Sequence, residues 1–347
     1  MPAVGSTTMA PHDVQERYLP SLEAELQAVV RASEPRHAEL YGILQYHLGW
    51  VDASLQPTQA RMGKRVRPVL CLLANESCGG NWEVALPAAA AVELVHNFSL
   101  VHDDIQDADE TRRGRATVWA VWGQARGINA GDAMFGLAHV ALLRLRERGV
   151  DDTTVLEALD LLIGAELALT GGQHLDIEFE DRDDVTADEY LAMIGDKTAA
   201  LVACACELGA AVAGASKTRR RHLAMFGRHL GLAFQMRDDI LGVWGDPAVT
   251  GKPSGSDLVR RKKSLLVVHG VKRSGELRGL LAQDVLSKDD IRQARKLLEQ
   301  GGSRKYVESV EREHHLLAVA SLDKAKAEGP ARAALLEVAE SLLGRRQ

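Results

Sequence analysis

Residues 84–106 read VALPAAAAVELVHNFSLVHDDIQ. Apolar side chains recur through this stretch at the spacing that lines one face of an α-helix. It ends on acids: Asp103, Asp104 and, one turn later, Asp107. Because Phe98, Leu100 and Val101 precede them, these carboxylates close a buried helix rather than decorate a solvated one.

Working outward, helical spacing continues through 128–149, 153–172, 186–215, 219–244 and 278–300. Thr186 followed by Glu189 matches a capping box opening one of these helices. No segment alternates with period two, so the expected fold class is all-α with no meaningful sheet. Residues 1–14 are small, polar and proline-containing, and are expected to form a disordered N-terminal tail before a single helical domain over 15–347. Two stretches interrupt the helices: the basic connection 109–117 and the Gly- and Pro-dense 245–257.

Composition narrows the function classes. The 347 residues are 46% apolar but only 4% aromatic, which leans towards helix. A net charge of -6 argues against nucleic acid as a partner. Cys71, Cys78, Cys204 and Cys206 show no metal-ligand spacing and read as buried reduced thiols. The first residues lack the charged start and apolar run of a signal peptide. The longest apolar stretch, 201–215, contains Glu207 and is too short to span a bilayer. A soluble, cytoplasmic protein is expected.

Asp103 and Asp107, four apart, share a helix face. Two carboxylates on one face repel unless a cation lies between them, and hard oxygens in that arrangement suit Mg²⁺. Asp238 and Asp239, following GLAFQM, repeat the pattern 135 residues later, and two such helix ends can face each other across a bundle core. The second run has Gly242 where the first has an acid, so it should hold metal less completely. Asp181, Asp183 and Asp184 follow no apolar helix and read as a solvated loop.

Cations accompany both acidic runs. Lys64, Arg65 and Arg67 lie just before an apolar helix, where a phosphate would also meet free backbone N–H groups. Arg112, Arg113 and Arg115 follow the first acids. Lys197 and Thr198 sit inside an apolar helix, and Lys252 with 260–263 follows the second acids. Arg219, Arg220 and Arg221 read as a solvated basic turn. Opposite charges held around a cleft are what a Mg²⁺–diphosphate complex requires.

GKRVRP (63–68), LVHDDIQDADETRRGR (100–115), GDKTAAL (195–201), FQMRDDILGVWGDP (234–247) and GKPSGSDLVRRKKSL (251–265) together resemble the trans-isoprenyl diphosphate synthases, or polyprenyl synthetases, in order and spacing. The resemblance implies a helical bundle around a deep central cavity, a homodimer, and two substrates, isopentenyl diphosphate and an allylic diphosphate. It implies three Mg²⁺ ions, two held by Asp103 and Asp107 and a third by Asp238. Arg112, Lys197 and Lys252 would contact the allylic diphosphate, with Thr198, Gln235, Asp239 and Lys262 nearby. Lys64, Arg67, His96 and Arg113 would bind the other diphosphate, and Gln173 and Asp176 would support the metal site. Two positions depart from the family pattern: Gly242 replaces an acid, and Arg261 stands where glycine is usual.

In this family the growing chain runs beside the helix carrying the first aspartates. Phe98, five residues before Asp103, would floor the cavity about 7.5 Å below the acids. Ser99 leaves the neighbouring space open, which favours geranylgeranyl diphosphate (C20). Farnesyl (C15) and C25 synthases, and a class I terpene cyclase on the same fold, are the alternatives. A cyclase has no use for the second diphosphate site.

Overall fold

The computed structural model describes residues 11–58, 63–246, 255–283 and 285–344, which are helical nearly throughout. The opening stretch forms α4, Leu86–Gln106. Ala88, Ala89, Ala90, Ala91, Val92, Leu94 and Val95 in it are closed off from solvent. Burying one larger aliphatic side chain is worth about 1.5–3 kcal/mol, so packing more than propensity fixes this helix. Helix α6, Gln124–Leu143, lies against it. Gly131 permits the close approach, since a Cβ there would fall 2.1 Å from His102 Nε2.

The chain divides into two compact units. The first comprises 1–163, 204–220 and 327–335; the second comprises 164–203, 221–326 and 336–347. The first holds α1 (Pro11–Val29), α2 (Ala38–Leu48), α3 (Val66–Ser77), α4, α5 (Val118–Trp122) and α6. Helix α1 begins inside the tail expected for 1–14, because a proline, with φ already near the helical value, opens its first turn. Residues 1–10 lie outside the described residues.

The connection after α4 is not wholly irregular. Thr111–Arg112 (β1) pairs antiparallel with Arg115–Ala116 (β2). Arg113 and Gly114 turn the hairpin with φ of 55° and 78°, the left-handed pair of a type I′ turn. Two-residue strands carry no periodicity, so the sequence gives no sign of them.

In the second unit, α8 (Ala187–Ile194) opens on the expected capping box of Thr186 and Glu189. A π-helical turn, Gly195–Ala199, follows it directly and runs on into α9, Ala200–Val212. Tyr190, Met193, Ile194, Leu232, Met236, Ile240 and Leu258 form the core here with residues of Leu265–Arg273. The helix expected over 278–300 is two: Gly275–Leu281 and Lys288–Gln300. Ser287 and Asp290 make a second capping box that restarts the chain as helix.

Helix α7, Asp152–Glu180, carries Gly172 against the π turn. A Cβ at Gly172 would lie 2.2 Å from Lys197 N and 2.7 Å from its Cα. Gly172→Ala must push two backbones apart, an overpacking expected to cost about 3 kcal/mol. Calorimetry should record a lower Tm for the variant; an unchanged Tm would mean the two segments separate freely.

Candidate active site

In the first unit the acids stand at the C-terminal end of α4. Asp107 caps the helix, its N–H donating to Asp103 O at 2.8 Å. Asp103 and Asp107 are half-buried, whereas Asp104 is only 1% exposed. From the hairpin, Arg112 Nε donates to Asp104 Oδ1 at 2.5 Å and Nη2 donates to Asp103 Oδ2 at 3.1 Å. Burial pushes the Asp104 carboxyl up to about 6, although Arg112 pulls it down. Asp104 Oδ2 is buried without a hydrogen-bond partner. An orphaned carboxylate oxygen beside two half-buried carboxylates is a hard-donor set that fits Mg²⁺, which takes one or two carboxylates and completes its shell with water and phosphate oxygens. No three side chains of the metal-binding types converge by themselves among the described residues.

The basic residues of this unit separate into two kinds. Arg65 is 3% exposed and spent on Glu23 and Glu93, with donor distances of 2.8 and 2.6 Å. Arg115 donates to Tyr46 O and Val51 O and stacks on the Tyr46 ring. Both were read from sequence as phosphate-facing cations, and both hold the fold. Arg67 differs: its Nη1 donates to His96 Nε2 at 3.3 Å, and its Nε is buried with no partner. Since arginine can only donate, His96 Nε2 must accept, and its imidazole is neutral. Arg113 is brought to the same motif, for a Cβ at Gly63 would fall 2.8 Å from its Nη2. Lys64 is exposed just before α3, whose N-cap, Arg65, provides no side-chain cap for the first-turn N–H groups. Lys64, Arg67, His96 and Arg113 therefore occupy one unit, with one buried donor, Arg67 Nε, left without a hydrogen-bond partner near the start of α3.

Arg219 and Arg220 are half-buried rather than solvated, donating to Ser77 O and Glu157. Asp181, Asp183 and Asp184 are exposed as expected. Cys71, Cys204 and Cys206 are buried and Cys78 half-buried; burial pushes the Cys71 thiol up to about 12.

In the second unit Lys197 Nζ donates to Asp176 Oδ2 at 2.5 Å, joining two expected site residues. Thr198 Oγ1 donates to Gln235 Oε1 at 2.9 Å, and Gln235 Nε2 donates to Asp239 Oδ1 at 3.1 Å. Tyr190 OH donates to the other oxygen of Asp239. Burial pushes Asp239 up to about 7 while the Tyr190 hydrogen bond pulls it back. Asp239 is thus committed to α8 and its own helix, α10 (Lys217–Trp244), whereas Asp238 beside it is exposed. Lys262 lines a separate recess with Arg182, Arg261 and Lys263. Arg261 has φ of 57°, the left-handed conformation that explains why glycine is usual there. Lys252 lies outside the described residues.

Phe98 is 8% exposed and packs edge-on against Phe135 of α6, ring centroids 5.3 Å apart. Ser99 Oγ donates to His96 O. Trp119 Nε1 donates to Asp109 O, and Trp122 packs edge-on against Tyr46.

Sequence reasoning missed Tyr190, whose only signal is an aromatic with a polar tip at a core position, and His47 on α2. Burial first, then the charges of Arg113, Arg112 and Arg65, pushes His47 down to about 3. His96 lies well below its ordinary value, from burial and then Arg67. Both imidazoles stay neutral in the folded chain while the unfolded chain protonates them below about 6.5. Stability is therefore lost as pH falls below about 6.5, by up to about 1.4 kcal/mol per pH unit for each histidine. Melting curves from pH 7.5 to 4.5 should show this slope, and His47→Phe should reduce it; an equal slope in that variant contradicts the assignment.

A predominantly helical chain presenting paired carboxylates, a buried arginine donor without a partner and a lysine–carboxylate pair on a π turn carries groups suited to multiply charged anions and a divalent cation. Residues 49–298 match the model of the polyprenyl synthetase family. The chain is 45% identical over 280 residues to (2E,6E)-farnesyl diphosphate synthase of Mycobacterium tuberculosis, covering 78% of this chain and 77% of that one. It is 40% identical over 321 residues to geranylgeranyl diphosphate synthase of the same organism, covering 91% of each. The crystal structure of a polyprenyl synthetase from Streptomyces coelicolor A3(2) superposes with a TM-score of 0.86 at 39% identity, over 96% of this chain and 99% of that one. The chain belongs to the polyprenyl synthetase family of trans-prenyltransferases.

Proposed function

We propose that the protein condenses isopentenyl diphosphate with an allylic diphosphate and releases chiefly geranylgeranyl diphosphate. The observation that carries elongation is the basic group of Lys64, Arg67, His96 and Arg113, with a buried Arg67 Nε left without a partner. A cyclase that only ionises an allylic diphosphate has no need of it.

Asp103 and Asp107 would hold two of three Mg²⁺ ions and Asp238 the third, and Mg²⁺ bound there would neutralise charge developing on the leaving diphosphate. Arg112, Lys197 and Lys252 contact the allylic diphosphate and stabilise the same charge. Asp176 aims Lys197, while Thr198, Gln235 and Asp239 steady α10, which carries Asp238; Lys262 supplements the charge. The allylic C–O bond breaks with its electron pair leaving on diphosphate. The isopentenyl double bond then forms the new C–C bond, and a proton passes to the released diphosphate. A neutral His96 can donate one hydrogen bond to diphosphate without acting as a base.

The order of the motifs along the chain supports reading 15–347 as a single catalytic domain. No helix among the described residues is long and apolar enough to cross a membrane. Ile128, Phe135 and Leu143 expose apolar surface along one side of α6. A second copy of the chain covers them in a homodimer. Ile128→Asp should convert a dimer to a monomer in sedimentation, and a wild-type monomer refutes the assembly.

Relatives make both C15 and C20 products, so chain length rests on Phe98 and Ser99. Phe98→Ala should lengthen the product by one or more C5 units when radiolabelled isopentenyl diphosphate is chased into products. An unaltered product length assigns the Phe98 ring to packing against α6 alone.

A further inference from the structure

Two side-chain contacts, running side by side, tie the start of α3 to α4. Arg65, the N-cap of α3, donates from Nη1 to Glu93 Oε1 at 2.6 Å. Arg67, two residues on, donates from Nη1 to His96 Nε2 at 3.3 Å. Glu93 and His96 are three apart on α4 and so share a face. The isopentenyl diphosphate reading uses Arg67 and His96 of these four and gives Glu93 no part.

Glu93 is 3% exposed, which a carboxylate reaches only when paired. Besides Arg65, Asn97 Nδ2 donates to Glu93 Oε1 at 2.8 Å and to Glu93 O at 2.7 Å. Asn97 is itself buried, so the carboxylate is fixed on the face it shares with His96. Arg65 has a second acid, Glu23, on its Nε at 2.8 Å. Among the described residues neither Arg67 nor Arg113 forms an ion pair. Both still sense Glu93. Burial lowers each guanidinium from its ordinary value, and Glu93 is the first charge to raise each again. Arg113 then lowers Arg67, while Arg112 and Arg65 lower Arg113. Like charges withdrawn from water without a counter-charge move apart or back to solvent, because desolvation and repulsion both oppose them. One fixed carboxylate among three arginines offsets part of that cost before any diphosphate arrives.

We propose that Glu93 is a positioning residue for isopentenyl diphosphate: its buried charge keeps Arg67 and Arg113 turned inward, with Arg67 Nε open to a phosphate oxygen. Arg65 neutralises Glu93 in direct contact, so the carboxylate repels an incoming diphosphate less than its loss would scatter the arginines. The role rests on the two-substrate reaction proposed above, which binding to the unsubstituted protein checks separately.

Isopentenyl diphosphate does not react without an allylic partner, so its binding to the full chain can be measured alone by titration calorimetry. Glu93→Gln keeps the shape and a hydrogen-bonding oxygen but removes the charge. It should weaken that binding about tenfold or more and raise the KM for isopentenyl diphosphate in step. The KM for the allylic substrate, and kcat at saturation, should stay within about twofold. Arg65→Gln breaks the same ion pair from its other side and leaves the charge of Glu93 in place. Binding in that variant, and in Glu93→Asp, should stay within about threefold of the unsubstituted protein. Equal losses in Glu93→Gln and Arg65→Gln overturn the proposal, since the pair is then structural only. Tighter binding in Glu93→Gln overturns it too, since the carboxylate then competes with the diphosphate. Helical circular dichroism identifies a variant that has lost its fold. Should Glu93→Gln be one, Glu93→Asp carries the test, because a loss of about tenfold with the charge intact contradicts a role for that charge. If the unsubstituted protein does not bind isopentenyl diphosphate, the two-substrate reading fails, and the role of Glu93 with it.

Discussion

Asp103→Asn is expected to lower kcat for prenyl transfer about a thousandfold while the helical fold stays in place. The side chain keeps its shape and its hydrogen-bonding oxygen, but the charge beside Arg112 is gone. Removing one preorganised charge or donor from a transition state that develops charge typically costs two to three orders of magnitude. Asp103 is half-buried and closes a helix held by Ala88 to Val95, so stability should change little. The loss should persist at saturating substrate, because the interaction strengthens as diphosphate departs. Single-turnover measurements would check this. A kcat within tenfold of the unsubstituted enzyme would remove Asp103 from the ionising site.

Arg67→Ala should raise the KM for isopentenyl diphosphate about a hundredfold and leave the KM for the allylic substrate nearly unchanged. Its guanidinium has a buried Nε with no protein partner and an Nη1 engaged by His96. A charge-assisted pair to phosphate is worth up to about 3 kcal/mol, or about two powers of ten in binding. Arg67→Lys keeps the charge but loses the planar fork, and should recover only part of the affinity. Initial rates with each substrate varied in turn would separate the effects. An equal change in both KM values would merge the two diphosphate sites into one.

Much of this was legible in the sequence because helices carry their own period. The stretch 84–106 declared both the helix and its acidic end, and α4 spans nearly those residues. The capping box at Thr186 was equally local. What escaped depends on contacts between distant residues. Arg65 and Arg115 look like their neighbours Arg67 and Arg113 in one dimension, and only partners such as Glu23, Glu93 and Val51 show them to be structural. Asp239 resembles Asp238 until Tyr190, 49 residues away, claims it. The hairpin at 111–116 and the break at 282–287 were missed for a different reason: each is too short for periodicity to register, although Ser287 and Asp290 offered a capping signal.

The central claim is that two diphosphate substrates are joined, and the most direct measurement is the consumption of isopentenyl diphosphate by the purified protein with Mg²⁺ and each of the C5, C10 and C15 allylic primers. The account predicts that isopentenyl diphosphate disappears with every primer the enzyme accepts, that inorganic diphosphate appears in equal amount, and that the organic product is an allylic diphosphate ending chiefly at C20. If isopentenyl diphosphate is untouched while a hydrocarbon forms from the allylic substrate alone, the account is contradicted and the chain is a cyclase on the same fold.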